Sequence, residues 1–276
     1  MRRLRFLIAI ILIGGVAAAF TPAALAASVR IVSLSPAVTS ELFDLGVQGN
    51  LVGVTRYCMN PGGKKEIVGN LTDINLEKII LLKPDLIVAG KDANRKKDIE
   101  KLLSMGFRVE IFEGCESFEC MCTEFIRLGK LTGSQLEAER IADKCRKEVS
   151  SISASAGSRH YKVLWQIGAN PMIVAGGPTF ASEFIRLSGC INIFGDVKTK
   201  YPRVNMEEVL IRNPDVIIII SGMGAGDDIW KKMKSISAVS EGRIFTVKAD
   251  AVCQATPLRF VEGLKIISSI LAGKHR

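Results

Sequence analysis

Residues 75–88 read Asn-Leu-Glu-Lys-Ile-Ile-Leu-Leu-Lys-Pro-Asp-Leu-Ile-Val, and residues 205–218 read Asn-Met-Glu-Glu-Val-Leu-Ile-Arg-Asn-Pro-Asp-Val-Ile-Ile. The second run repeats the first without a gap, 130 residues further on. Each copy carries the same local physics. An Asn caps a short helix, and a Glu (Glu77, Glu207) sits in its first turn near the positive end of the helix dipole. Pro stops the helix, and a run of aliphatic and β-branched residues follows as a buried strand. A second pair keeps the same order: Pro36 precedes Glu41 by five residues, and Pro178 precedes Glu183 by five. Two copies of two motifs predict two similar α/β lobes with a cleft between them. Two units are too few for a solenoid.

The first 26 residues read as an export signal. Arg2, Arg3 and Arg5 form a basic start, an apolar or small-residue run covers Phe6 to Phe20, and Ala24-Leu25-Ala26 offers a cleavage site. The apolar run is short for a spanning helix, so cleavage after Ala26 is expected rather than retention as an anchor. No Cys stands beside that site to take a lipid, and a soluble periplasmic product is expected. Cleavage removes three Arg and leaves 34 Lys and Arg against 28 Asp and Glu, a net +6. These charges are scattered, with no basic stripe interleaved with aromatics, which argues against nucleic acid as a partner.

The seven cysteines are an odd number, so at least one is free or pairs between chains. Cys115, Cys120 and Cys122 cluster. Cys120 and Cys122 lie two apart on an expected helix and point to different faces, and no His is near, so a closed tetrahedral metal site is disfavoured. A local disulfide and free thiols both remain open. His160 and His275 are the only histidines, and neither position suggests catalysis. With no Ser-His, Cys-His or paired-His arrangement, no catalytic set and no metal site is predicted. Ser221-Gly-Met-Gly-Ala-Gly226 departs from a dinucleotide fingerprint because Asp227 takes the sixth place. It reads as a turn with close backbone approach. Asn70-Leu71-Thr72 matches a glycosylation sequon by coincidence.

From Val29 the chain alternates strands and helices, which predicts largely parallel sheets covered on both faces. Strands are expected at Arg30–Ser35, Leu51–Thr55, Asp85–Ala89, Arg108–Phe112, Lys162–Ile167, Asp215–Ile220 and Arg243–Val247. Helices are expected at Thr39–Leu45, Leu76–Lys83, Asn94–Ser104, Phe118–Leu131, Phe180–Leu187, Met206–Ile211, Asp228–Lys234 and Leu258–Leu271. Gln135–Ser151 is charged, free of Gly and Pro, and apolar at helical spacing. It reads as one long helix joining the lobes. The expected organisation is a first lobe at 27–132, a connector at 133–156 and a second lobe at 157–276.

The segments Arg30-Ile-Val-Ser-Leu-Ser-Pro36 with Thr39-Ser-Glu41, Leu51-Val-Gly-Val-Thr55, the two Pro-Asp repeats, Leu128-Gly-Lys-Leu-Thr-Gly133 and Tyr201-Pro-Arg-Val resemble the periplasmic binding proteins of metal-chelate ABC importers. Those proteins serve cobalamin, ferric siderophores or haem, and some relatives bind oxyanions. Gly176-Gly-Pro-Thr-Phe180 and Leu187-Ser-Gly-Cys-Ile-Asn192 are most similar to the cobalamin-binding branch. The resemblance implies a class III architecture, two Rossmann-like lobes joined by a rigid helix. It implies no resident cofactor, a transported chelate such as cobalamin or a ferric siderophore, and a monomer that docks on an ABC transporter permease dimer. By motif position, Tyr57 and Tyr201 would wall the cleft from opposite lobes. Asp250, in a loop after a strand, would add a polar contact, and Met172 lies on a further strand-end loop. Trp faces common in the cobalamin branch are replaced here by Leu71 and Gly90. Arg56, Lys198, Lys200 and Arg203 flank the tyrosines, either as a solvated rim or as forks for an anionic chelate. Glu77 and Glu207 would engage the two permease copies. The competing expectations are an oxyanion (molybdate-like) binder of the same fold and an exported Rossmann-like enzyme.

Overall fold

The computed structural model describes residues 29–273 apart from 92, 223, 225–228, 231, 254 and 255. The export signal and His275 lie outside the described residues. The first lobe contains β1 (Ile31–Ser33), α1 (Pro36–Asp44), β2 (Leu51–Val54), β3 (Glu66–Ile67), α2 (Leu76–Leu82), β4 (Leu86–Gly90), α3 (Lys96–Ser104), β5 (Val109–Phe112) and α4 (Phe118–Leu131). Its strands form a sheet in the order β3-β2-β1-β4-β5, and every pairing is parallel. Alternate residues of β1 and β4 face opposite cores: Ile31, Leu86 and Val88 pack into one, Val32, Ile87 and Ala89 into the other. That is the period of two expected of a strand buried on both faces.

The connector α5 (Gln135–Ala156) runs five residues beyond the Ser151 expected from composition. In this added turn the Oγ of Ser155 donates back to the carbonyl of Ser151, 2.8 Å away, and Ala156 is buried. The second lobe follows with β6 (Lys162–Ala169), β7 (Met172–Val174), α6 (Phe180–Leu187), β8 (Ile191–Asn192), α7 (Met206–Arg212), β9 (Val216–Ser221), α8 (Ser237–Ser240), β10 (Ile244–Lys248), α9 (Ala249–Val252) and α10 (Pro257–Leu271). Its sheet runs β10-β9-β6-β7, with β8 pairing the start of β6; only β7 is antiparallel. Of the helix expected at Asp228–Lys234, Asp228 and Lys231 lie outside the described residues. Ile229, Trp230, Lys232 and Lys234 form turns. Buried Trp230 organises them: its indole N–H donates to Gln166 Oε1 at 2.8 Å, so a tertiary anchor replaces helical periodicity.

The repeat is legible in three dimensions. Asn75 Oδ1 accepts from the Lys78 N–H at 3.0 Å, and Asn205 Oδ1 accepts from the Glu208 N–H at 2.8 Å. Lys83 and Asn213 close the two helices in the left-handed region, with φ of 45° and 39°. The following aspartates do equal work. Asp85 Oδ2 accepts from the Arg30 N–H and Asp215 Oδ2 from the Lys162 N–H, both at 2.8 Å. Each Pro-Asp thereby fastens the start of its own strand to the first strand of its lobe. Shorter strands β3, β7 and β8 lack a periodicity signal and become strands through pairing alone.

The largest cluster of buried side chains does not stop at the lobe boundary. It runs from α1 and α4 through α5 into α6 and α10. An aromatic seam crosses the junction: Phe118 lies 5.0 Å from Phe260, which stacks on Phe184 at 4.4 Å and meets Phe180 edge-on at 6.0 Å. Arg146 of α5 pairs with Glu119 of α4, and Lys265 of α10 pairs with Glu148 of α5 at 2.5 Å. The connector is therefore packed on both lobes along its length.

Candidate functional site: the cleft between the lobes

Parallel strands of both sheets deliver their C-terminal ends to the junction of the lobes, the usual ligand position in open α/β sheets. Two cavities lie there. The first, about 200 Å³, is lined by Ser35, Val38 and Glu41 of the α1 region, Gly90 and Lys91 at the end of β4, Phe112 and Glu113 at the end of β5, Met121 and Glu124 of α4, and Phe180. The second, about 250 Å³, is lined by Trp165, Ile167, Phe180, Tyr201, Ile220, Val252 and Cys253. Phe180 belongs to both. It is the first residue of α6, held there because Thr179 caps the helix by accepting from the Ser182 N–H at 3.2 Å. One cavity opens on each lobe and an aromatic ring joins them, so the two form a single cleft.

The loop between β5 and α4 frames the first cavity. Cys115 and Cys120 are joined by a disulfide, which settles the cysteine cluster in favour of a local bridge; Cys122 is a buried free thiol. Burial pushes the Cys122 thiol up to about 12, so it is inert as a nucleophile. Ser117 caps α4 by accepting from the Cys120 N–H at 3.3 Å. Glu116, inside the disulfide loop, pairs with Lys200 of the second lobe at 3.1 Å, a direct bridge between the lobes. An exposed pair of this kind is worth roughly 0–1 kcal/mol.

Glu41 is the chemically distinctive group. It is 5% exposed on α1, and burial followed by Asp44 and Glu124 pushes its carboxyl well above the usual range, with Arg127 opposing. Arg127 is already engaged. It pairs with Glu110 at 3.1 Å and Glu124 at 2.8 Å, and it lies 4.0 Å over the Phe112 ring.

The residues singled out by sequence are distributed unevenly. Tyr201 lines the second cavity, 55% exposed, with partial burial pushing its hydroxyl up. Tyr57 lies on the loop leaving the C-terminal end of β2 and is 64% exposed. Asp250 is exposed, but in the first turn of α9 rather than in a loop. Met172 does not reach the cleft. It is buried in the core on the far face of the second sheet together with Val174, because alternation along β7 puts residues two apart on the same face. Arg56 is also displaced from the expected wall. Its backbone N–H is held by the Gly69 carbonyl, and it lines an outer groove of the first lobe with Asn75 and Glu77. Trp165 is core, as its strand position implies. Phe180 and Cys253 are cleft residues that the motifs do not mark; the Gly-Gly-Pro-Thr preceding Phe180 is the signal the sequence offers.

This architecture defines a class of protein: a two-lobed solute receptor with a helical spine. A family model described as periplasmic binding protein matches residues 31–251, and the chain belongs to that family. The vitamin B12-binding protein of Photorhabdus laumondii is 31% identical over 206 residues, 74% of each chain. The crystal structure of the periplasmic vitamin B12-binding protein BtuF of Vibrio cholerae superposes with a TM-score of 0.75 at 26% identity, covering 90% of this chain and 98% of that one. A possible iron-binding, periplasmic solute-binding protein of Staphylococcus epidermidis gives 0.76 at 29%, covering 88% and 98%.

Proposed function

We propose that this chain captures a metal chelate in the cleft, a corrinoid ahead of a ferric siderophore, and hands it to the permease dimer of an ABC importer. The observation that carries this reading is the paired cavity at the strand ends. The second-lobe cavity is walled by apolar and aromatic side chains, and the charged groups of the first-lobe cavity are mostly acids, which suits a large planar chelate better than a small oxyanion held by dense hydrogen bonding. Similarity to vitamin B12-binding relatives supports the corrinoid. Tyr57 and Tyr201 approach the ligand from opposite lobes, Asp250 adds a polar contact, and Met172 has no part.

The chain is exported, cleaved after Ala26 and released without a lipid. N-terminal sequencing of an envelope fraction checks this; an intact Met1 in the membrane pellet overturns it. Purified mature protein should be stabilised against heat by its ligand alone, because a ligand bound only by the folded state raises the melting point. The panel is cyanocobalamin, a ferric siderophore, haem and molybdate. Stabilisation by molybdate alone, or by none of the four, overturns the reading.

A further inference from the structure

The internal repeat exposes an asymmetry at Glu41. Its counterpart in the second lobe is Glu183, which forms two hydrogen bonds with Arg186 three residues on, at 2.9 and 3.0 Å. In the first lobe the residue three on from Glu41 is Asp44, an acid. The helix that should supply a cation supplies a second carboxylate. The other cation within reach, Arg127, is spent on Glu110, Glu124, the Ile111 carbonyl and the Phe112 ring. Glu41 thus stands 5% exposed, with no side-chain hydrogen-bond partner among the described residues, on the wall of the first-lobe cavity. A buried polar group without a partner costs roughly 1–3 kcal/mol. A fold that keeps one on a cavity wall has left it for something that enters the cavity.

We propose that Glu41 is a ligand contact that reads a primary carboxamide, its carboxyl group donating one hydrogen bond to the amide oxygen and accepting one from the amide N–H. Burial, with Asp44 and Glu124 beside it, pushes the carboxyl well above its usual range and so favours the protonated form, which is at once donor and acceptor. Lys91 and Glu113, at the mouth of the same cavity, pair with each other at 2.8 Å. A cavity of about 200 Å³ is smaller than the roughly 300–1,000 Å³ of a site for a whole small molecule. It takes a side arm while the body of the ligand lies against Tyr201 and Phe180. A corrinoid is fringed with carboxamide arms; haem carries carboxylates. A carboxylate cannot return the second hydrogen bond, and it brings a charge into a cavity already holding acids. Glu41 therefore selects amide-fringed chelates over acid-fringed ones.

This inference rests on the cleft being the chelate site. The test uses full-length mature protein and isothermal titration with three probes: cyanocobalamin, a corrinoid with its side-chain amides hydrolysed to acids, and haem. Unaltered protein should bind cyanocobalamin at least tenfold tighter than the hydrolysed corrinoid. Glu41→Leu should lose about tenfold for cyanocobalamin and nothing for the acids. Glu41→Gln, whose own amide can make the same two bonds, should stay within about threefold of the parent. Melting curves of each variant confirm folding. Cyanocobalamin affinity unchanged in Glu41→Leu, or preference for haem or the hydrolysed corrinoid by unaltered protein, overturns the role of Glu41 and leaves the cleft reading standing. Absence of binding to all three overturns both.

Discussion

At the scale of single residues, Tyr57 and Tyr201 are large aromatic side chains left more than half exposed at the strand ends of opposite lobes. Exposure of that size is explained if a ligand covers them. Each Tyr→Ala change should weaken chelate binding by roughly 1–2 kcal/mol, measured by titration; affinity unchanged in both places the site elsewhere. Glu41 makes a second prediction, about stability and pH. Its folded-state pKa is raised above the unfolded value, so between the two the native state binds more protons. Stability is then fullest below the ordinary carboxylate range and falls as pH rises toward the raised folded value, by up to about 1.4 kcal/mol per pH unit while one proton is at stake. Asp44, also raised by burial, adds to the same slope, whereas Glu124 and Arg127 are held in their ion pair. Glu41→Gln should flatten the urea-midpoint profile from about pH 5 upward; an identical slope in the variant would mean that Glu41 ionises freely. Tyr57 and Tyr201 could be singled out by motif position. The isolation of Glu41 could not, because sequence shows Asp44 three residues on but not that Arg127 is spent elsewhere.

At the scale of elements, α2 and α7 are the repeated pieces, and their outer faces match. Glu77, Ile80 and Leu81 are exposed on α2, the last two at 44% and 79%. Glu207, Leu210 and Ile211 are exposed on α7, the last two at 38% and 78%. Spacing of i, i+3, i+4 puts each trio on one helix face, an acid beside an aliphatic pair. A carboxylate in the first turn stabilises its helix by roughly 0.3–1 kcal/mol, which accounts for each Glu alone. It does not account for four large apolar side chains left in water at equivalent places. Two matched patches suit a two-fold permease, one patch to each copy. Reversing both charges in Glu77→Lys with Glu207→Lys should leave ligand affinity near its parent value and abolish delivery in reconstituted transporter vesicles. Full delivery by the double variant would reduce both glutamates to helix caps. These helices were the most legible elements in the chain, because cap, Pro stop and strand are all local signals. α9 and the turns around Trp230 were not, since one follows a strand without a side-chain cap hydrogen bond and the others depend on a partner 64 residues away.

At the scale of the whole molecule, the question is how far the lobes move. α5 is packed against α4 on one side and α10 on the other, and the main core passes under it without interruption. Opening the lobes by tens of degrees would break the Phe118–Phe260 contact across the junction, where removing one buried Phe costs roughly 3–5 kcal/mol. Closure on ligand binding should therefore be on the order of a few degrees, against the tens of degrees of hinged receptors. Scattering profiles with and without ligand should give nearly equal radii of gyration; a marked fall on binding would show that the spine bends. Rupture of the Glu116–Lys200 bridge should be absorbed without loss of the fold, since it is exposed at both ends.

The sequence by itself determined the duplication, the α/β alternation, the two largely parallel sheets and the helical spine. All of these follow from short-range rules: caps, stops and hydrophobic periods written within a dozen residues. It also pointed to the cleft, because two lobes built alike must meet along one. Only the tertiary structure decided which side chains face that cleft. Met172 and Arg56 were near it in the chain and turned away, one into a core and one onto an outer groove. Phe180 and Glu41 became its distinctive surfaces. The direction of a side chain at a strand end depends on what its neighbours from distant segments have already filled, and in the case of Glu41 on a cation that was taken by three other partners.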